Sequence, residues 1–454
     1  MNTPSGGNGS TPGGNPVIAL VKRAVGAAME IEANEIKATC LSFLFIFLLM
    51  AAYYILRPVR DALASNWTDA QVSFLWTMNF FISATVVALY GVAVSSIRFR
   101  RLVPAIYSFF AATFVCFYIA VSASAQHVLI NKCFYVWVSV FSLFHVSVFW
   151  SYMADTFSKE QAKRLFAVIA AGASAGALLG PSIPTLLAGK LGSNEMMLIA
   201  AVLLVLPIPI ILYLARLKVI ELHNQDVNAD LTDLRIGGNP LAGFKQFATS
   251  PYLLAIGAFI LLYTMIGSFV YFEQKNLLAA YDMATRIRIL GGIDWSVNIL
   301  TFTLAFFATG RLVQRFGMTV ALPLIPVIII AGMLILAFAP VLAVLIPLQV
   351  GRRAGNYAVT RPAREMLFTD VDREARFKAK PVIDIVVYRG GDTATAWLFT
   401  GLTQGLGLGM APVAVVGSAI AAIWAAAGIY LGRWFDRHHP GNGDFVITEK
   451  ARNV

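Results

Sequence analysis

Twelve apolar runs, each close to twenty residues, follow one another down this chain, at 37–60, 71–95, 102–123, 129–155, 164–188, 194–216, 251–275, 288–311, 317–338, 341–367, 381–405 and 410–433. A hydrocarbon core about 30 Å thick takes about 20 helical residues to cross, and inside it the segment must satisfy its own backbone polar groups. Runs of this length therefore predict membrane helices. Of the 454 residues, 58% are hydrophobic and 13% charged, more apolar surface than a water-soluble core can hide. The expectation is an all-α polytopic membrane protein, with twelve transmembrane helices in two six-helix repeats.

The polar segments between the runs divide the chain. Residues 1–35 read as a disordered Gly/Ser/Pro-rich tail leading into a short interfacial helix, Val17 to Glu35. Residues 36–217 are expected as one six-helix bundle and 250–434 as a second. A cytoplasmic linker at 218–249, with Glu221, Asp226, Asp230, Asp233 and Arg235, separates them, and 435–454 is a cytoplasmic tail. Arg98, Arg100, Arg101, Lys159, Lys163 and Arg164 in the first half, and Arg311, Arg315, Arg373, Arg376, Lys378 and Lys380 in the second, fall in loops on one side. The positive-inside rule makes that side the cytoplasm and puts both termini there. The same bias accounts for the net charge of +11 without nucleic acid as a partner. Cys40, Cys116 and Cys133 show no C-x-x-C or zinc spacing and read as packed thiols. There is no phosphate-cradling loop, no HExxH, and no G-x-S-x-G in a strand–turn–helix setting, so neither an enzyme nor a cofactor is expected.

Against this apolar background, buried charge nominates a site. The run VLAVLIPLQ leads straight into VGRRAGNYAVTRPAREMLF (350–368). If a helix starts near Leu342, Arg352 and Arg353 lie about 15 Å deep, near the middle of the bilayer. A cation there normally faces a partner or a watery cavity. On a regular helix Arg353, Tyr357, Arg361 and Arg364 fall within about 80° of one another, with Arg352 turned away. Gly351, Gly355 and Pro362 read as helix weakeners suited to a hinge or a break. In the first span, Tyr54, Arg57, Arg60 and Asp61 share a face, and Pro58 should bend the helix beside them. In span eleven, Asp384, Arg389 and Asp392 follow one another, and one or both acids are expected to neutralise the arginines of span ten. Glu273 and Lys275 at the end of span seven read as counterparts for span one. His145 reads more readily as a satisfied core residue than as a proton carrier. Gly172, Gly176 and Gly180, four apart, allow close helix packing.

The two halves repeat one another. Asp155 to Lys163 and Asp370 to Lys378 are equally spaced, each enclosing a glutamate (Glu160, Glu374), after the fourth and tenth spans. Two six-helix repeats joined by a polar linker resemble the major facilitator architecture. Three stretches carry a narrower resemblance: YYILRPVRDAL from Tyr53, FWSYMADTFSKEQAKRLFAVIAAGAS from Phe149, and RPAREMLFTDVDREARFKAKPVIDIVVYRGGD from Arg361. In that order they are similar to the ATP/ADP antiporter (nucleotide transporter) family of bacteria and plastids. The matching positions are Arg57, Arg60 and Asp61; then Glu160, Lys163 and Arg164, as loop-structural residues; then Arg364, Glu365, Lys378, Lys380, Asp384 and Arg389. Several lysines of that family are arginines here, and Arg361 stands where an acid is expected, which leaves the substrate open.

The resemblance implies a major-facilitator-like fold and exchange of an anion such as a nucleotide. The expected function is secondary active transport of an organic anion by alternating access, in a monomer of the cell inner membrane whose partners are the small anion and the lipid bilayer. Arg57, Arg353 and Tyr357 are expected to touch the cargo first, with Arg352, Arg361, Arg364, Arg389 and Tyr54 beside them. Asp61, Asp392, Asp384 and Glu273 are expected as pairing or coupling carboxylates. Proton-coupled transport of another substrate, such as a cell-wall fragment, is the rival within transport. A scaffold or receptor with its charges permanently paired and no central cavity is the rival outside it.

Overall fold

The fold comes from a computed structural model, which describes residues 31–96, 99–124, 127–222, 224, 242–307, 316–371, 379–380 and 382–438. Everything regular among them is helical. In chain order the helices are α1 (Ile36–Ala64), α2 (Asp69–Ser96), α3 (Phe99–Ala123), α4 (His127–Thr156), α5 (Lys159–Leu179), α6 (Ser182–Leu187), α7 (Ser193–Val205), α8 (Pro207–Ile220), α9 (Ala242–Thr249), α10 (Pro251–Leu278), α11 (Met283–Phe307), α12 (Met318–Phe338), α13 (Leu342–Gly355), α14 (Arg361–Leu367), α15 (Tyr388–Thr400) and α16 (Met410–His438). Nine stretches among the described residues, two of them formed by consecutive helices, are long and apolar enough to cross a membrane. The predicted spans outside that set are α11, which carries Arg286, Arg288 and Asp294, and two segments divided by π-helical turns, α13–α14 and the stretch around α15.

The expected tail, the Val17 helix as far as residue 30, most of the linker and residues 439–454 lie outside the described residues, as do Arg98, Arg311, Arg315, Arg373, Arg376 and Lys378. The linker region is not wholly irregular: its last eight residues form α9, whose Phe247 ring lies against Gly257 of α10.

The glycine ladder of α5 lies against α1. A Cβ on Gly172 or Gly176 would strike the carbonyl oxygens of Phe43 or Phe47, and one on Gly180 would strike the Ala51 backbone. With little hydrophobic force between helices in lipid, such close backbone approach is how they associate. Gly428 and Gly432 do the same for α16 against α12. The helices up to α8 pack mainly on one another around α1, and those from α10 on mainly around α10, α12 and α16. Between the two groups, α11 lies on α1, α5 and α6, and α15 lies on α2. The helix α1 runs unbroken through Pro58. The three cysteines are free and face outward, not into the packing: one-sided amphipathic burial leaves apolar residues on the lipid side as well.

The segment that sequence reading singled out bends the helical phase. Between α13 and α14, Asn356–Thr360 form a π turn in which the Arg361 N–H reaches back five residues to the Asn356 carbonyl. The wide turn sits directly before Pro362, whose ring would crowd the Ala358 carbonyl in a regular helix. It inserts the equivalent of one residue and turns everything after it by about 100°. Gly355 serves packing, since a Cβ there would strike Ile325 of α12.

Candidate functional site

A cavity of about 220 Å³ lies where both groups of helices meet. The first group supplies Arg57 and Arg60 from α1, Trp76, Asn79 and Phe80 from α2, and Tyr135, Ser139 and Ser142 from α4. The second supplies Tyr263, Ser268 and Tyr271 from α10, Gln349, Arg352 and Arg353 from α13, Tyr357 from the π turn, and Tyr388, Arg389 and Asp392 from α15. Five guanidinium groups and a ring of aromatic side chains thus face one space.

Helical spacing explains the α1 cluster. Arg57 and Asp61 are one turn apart, Nε to Oδ2 3.8 Å, and Arg60 grips Asp61 Oδ1 at 2.7 Å through Nη2. Tyr271 OH also donates to Asp61 Oδ1 at 3.4 Å, and it meets Tyr135 OH at 2.8 Å, so α1, α4 and α10 converge on one carboxylate. Trp76 Nε1 donates to Tyr135 OH at 2.7 Å and extends the chain to α2. The guanidinium of Arg60 lies over the Tyr135 ring, 5.6 Å from its centre.

The α13 pair is held in two different ways. Arg353 Nη1 meets Asp294 Oδ1 of α11 at 2.6 Å, and Arg57 Nη1 approaches the same oxygen at 3.4 Å. One buried carboxylate therefore serves an arginine from each group of helices. Arg353 Nη2 is buried and has no hydrogen-bond partner among the described residues. Arg352 makes no ion pair among the described residues. Its Nε and Nη2 donate to Gln349 Oε1 at 3.1 and 2.8 Å, and Gln349 Nε2 in turn donates to Gln274 Oε1 of α10 at 2.8 Å.

Sequence reading brought Arg57, Arg352, Arg353, Tyr357 and Arg389 forward, and these line the cavity together. Tyr54 is buried beside it, its ring 6.0 Å from the Arg57 guanidinium, but does not line it. Arg361 and Arg364 do not line it either: the π turn rotates them off the face of Arg353 and Tyr357. Arg361 is exposed, and Arg364 Nη2 meets Glu365 Oε1 at 2.8 Å, with Lys380 on the other oxygen of Glu365. Asp392 accepts from Ser268 Oγ at 3.5 Å and makes no ion pair with α13. The neutralising acid of α13 is Asp294 instead, which the sequence reading missed; a lone aspartate in the apolar run of span eight was its signal. The side chain of Asp384 lies outside the described residues. Glu273 is not paired with α1: it is fully buried, and neither carboxyl oxygen is hydrogen-bonded among the described residues. Its neighbour Lys275 pairs with Asp69 of α2, not with α1. His145 sits in the core, stacked on Tyr53 with ring centres 4.7 Å apart. No group of three or more His, Cys, Asp or Glu side chains among the described residues is placed to hold a metal ion.

Buried arginines from both groups of helices around one central space suit a transporter. The family profile described as Major Facilitator Superfamily matches residues 39–360. The chain belongs to the major facilitator superfamily. Among curated proteins it is similar to ADP,ATP carrier protein 1 of Chlamydia pneumoniae, at 23% identity over 217 residues. That match spans 42% of each protein. Among solved structures, the nucleoside transporter NupG superposes with a TM-score of 0.60 at 13% identity, covering 88% of this chain and 99% of that one. A bacterial homolog of the human lysosomal transporter Spinster, inward-facing and unoccupied, gives 0.58 at 15% identity, covering 87% and 97%. At such identities the structures share the fold alone. The family makes this a multi-pass membrane protein of the transporter class.

Proposed function

We propose that the chain is a secondary active transporter that moves an organic anion across the cell inner membrane by alternating access. Twelve helices cross in two six-helix halves, 36–217 and 250–434, with 218–249 as a cytoplasmic linker and both termini in the cytoplasm. The observation that carries the reading is Asp294, bonded at once to Arg57 of one half and Arg353 of the other. An anion entering the cavity competes with Asp294 for these guanidinium groups, and that competition differs between the two rocked states, which is what couples binding to a conformational change. Arg57, Arg353 and Tyr357 contact the cargo, with Arg352 and Arg389 beside them. The resemblance to a carrier named for ADP and ATP favours exchange of one anion for another, with a nucleotide among the candidate cargoes.

Proton-coupled transport of another substrate is the second reading, favoured by Glu273, whose buried carboxyl has no bond to either oxygen among the described residues. The scaffold reading is disfavoured by a central cavity and by Arg352, which has no carboxylate partner among the described residues. The test is Arg353→Ala in reconstituted vesicles preloaded with a candidate anion. Exchange is lost while the protein still inserts and melts cooperatively. Undiminished exchange by that variant would remove the reading.

A further inference from the structure

The charge facing the cavity does not balance. Its wall presents five guanidinium groups, Arg57, Arg60, Arg352, Arg353 and Arg389. Among the described residues, three carboxylates stand against them: Asp61, Asp294 and Asp392. Two positive charges are left over. Asp61 is taken by α1, and Asp294 by Arg57 and Arg353 together. Arg57, Arg60 and Arg353 share two carboxylates, and Arg352 and Arg389 face Asp392, so one surplus charge lies in each set.

The way Arg352 is held keeps that surplus intact. A carboxylate at position 349 would fix the guanidinium and cancel its charge. Gln349 fixes it through one neutral amide oxygen that accepts from both Nε and Nη2, and its own N–H is tied to Gln274. Arg352 is thus oriented without being neutralised, with Nη1 left over beside Gly267, where a Cβ would come within 3.1 Å of it. Arg353, only 6% exposed, adds an orphaned Nη2. A buried donor without an acceptor is unfavourable, and an incoming oxyanion would relieve it. Planar forked donors suit phosphate and carboxylate oxygens.

Resting on the transporter reading above, we infer that the cargo is a compact organic dianion with the charge of a phosphate monoester, its oxyanion gripped by Arg352, Arg353 and Arg389. A monoester carries close to two negative charges at neutral pH. That charge cancels the surplus. A diphosphate or triphosphate overshoots it and meets Asp392 in the wall, with Asp294 beside Arg57 and Arg353. Size points the same way: about 220 Å³ is below the roughly 300–1,000 Å³ of pockets for larger ligands. The aromatic wall across the cavity, Trp76, Phe80 and Tyr135, receives the organic part.

The experiment is a binding titration of the purified full chain at neutral pH against charge ladders on two scaffolds. One ladder is adenosine, the methyl ester of its 5′-monophosphate, the 5′-monophosphate, the diphosphate and the triphosphate. The other is glucose, glucose 6-phosphate and glucose 1,6-bisphosphate. Inorganic phosphate is run beside them. On whichever scaffold binds, the dianionic monoester binds about tenfold or more tightly than both the uncharged parent and the more highly charged members. In Gln349→Glu, which adds the missing negative charge at nearly constant shape, that preference moves toward the singly charged methyl ester. A triphosphate or bisphosphate that binds as tightly as the monoester overturns the dianion inference and leaves anion transport standing. Absence of binding by every anion in both ladders and by phosphate overturns both. An unchanged ladder in a folded Gln349→Glu removes Arg352 from the site.

Discussion

Lys275 Nζ stands 2.7 Å from Asp69 Oδ1, joining α10 to α2 across the two groups of helices, and both side chains are buried. The same lysine donates to the Trp67 carbonyl at 2.8 Å, and Thr403 Oγ1 donates to Asp69 Oδ2 at 2.8 Å. Nearby, Ser73 and Thr400 hydroxyls meet at 2.8 Å, and Arg286 reaches Asn66 Oδ1 at 2.5 Å while its other donors close the carbonyls of Leu278 and Ala279 at the end of α10. In the proposed orientation this is the outer face, tied shut. Breaking one partner of a buried pair leaves an uncompensated charge and weakens the arrangement by about 3–5 kcal/mol. Asp69→Asn is therefore expected to open that face. In a background with the three native cysteines changed to serine, Ser139→Cys on the cavity wall should gain reactivity toward an impermeant maleimide applied outside. Equal labelling with and without Asp69→Asn would show that the pair does not hold the face closed.

Asp294 is the natural competitor of the cargo. Removing its charge frees Arg57 and Arg353 for the anion but takes away what returns them to the empty state. Asp294→Asn should bind the anion more tightly and exchange it at least about tenfold more slowly, a loss of about 1.4 kcal/mol at the barrier. Titration and vesicle exchange on one preparation check both halves of the statement, and a parallel fall in both would contradict it.

Arg361 belongs to the same helix by sequence but is turned away from the cavity by the π turn. Arg361→Ala should change exchange by no more than about twofold, the scale of about 0.5 kcal/mol for a substitution away from a site. Measured uptake reduced as far as in Arg353→Ala would mean that the turn unwinds to a regular helix during the cycle.

Glu273 is buried with both oxygens unbonded among the described residues, an arrangement unfavourable by about 1–3 kcal/mol for a polar group in the protein interior. Glu273→Leu should raise the melting temperature in detergent. If it does so and exchange persists, the group is not needed for transport; if exchange is lost with the fold strengthened, proton coupling gains the stronger claim.

Periodicity and hydropathy determined much of this protein. Apolar runs near twenty residues predict helices in any bilayer, because lipid offers the backbone no alternative partner, and the glycine spacing of α5 predicts close packing for the same local reason. Depth along a run likewise marked Arg352 and Arg353, since a lone cation deep in an apolar segment is costly wherever the helix ends up. Partnership was beyond the sequence. Asp294 joins Arg57 and Arg353 across 237 and 59 residues of chain, Lys275 chooses Asp69 over α1, and Gln349 rather than a carboxylate holds Arg352. Each pairing depends on how helices distant in sequence are rotated against one another. A single π turn before Pro362 was enough to separate Arg361 and Arg364 from Arg353, because helical phase accumulates along the chain and one inserted residue shifts everything beyond it.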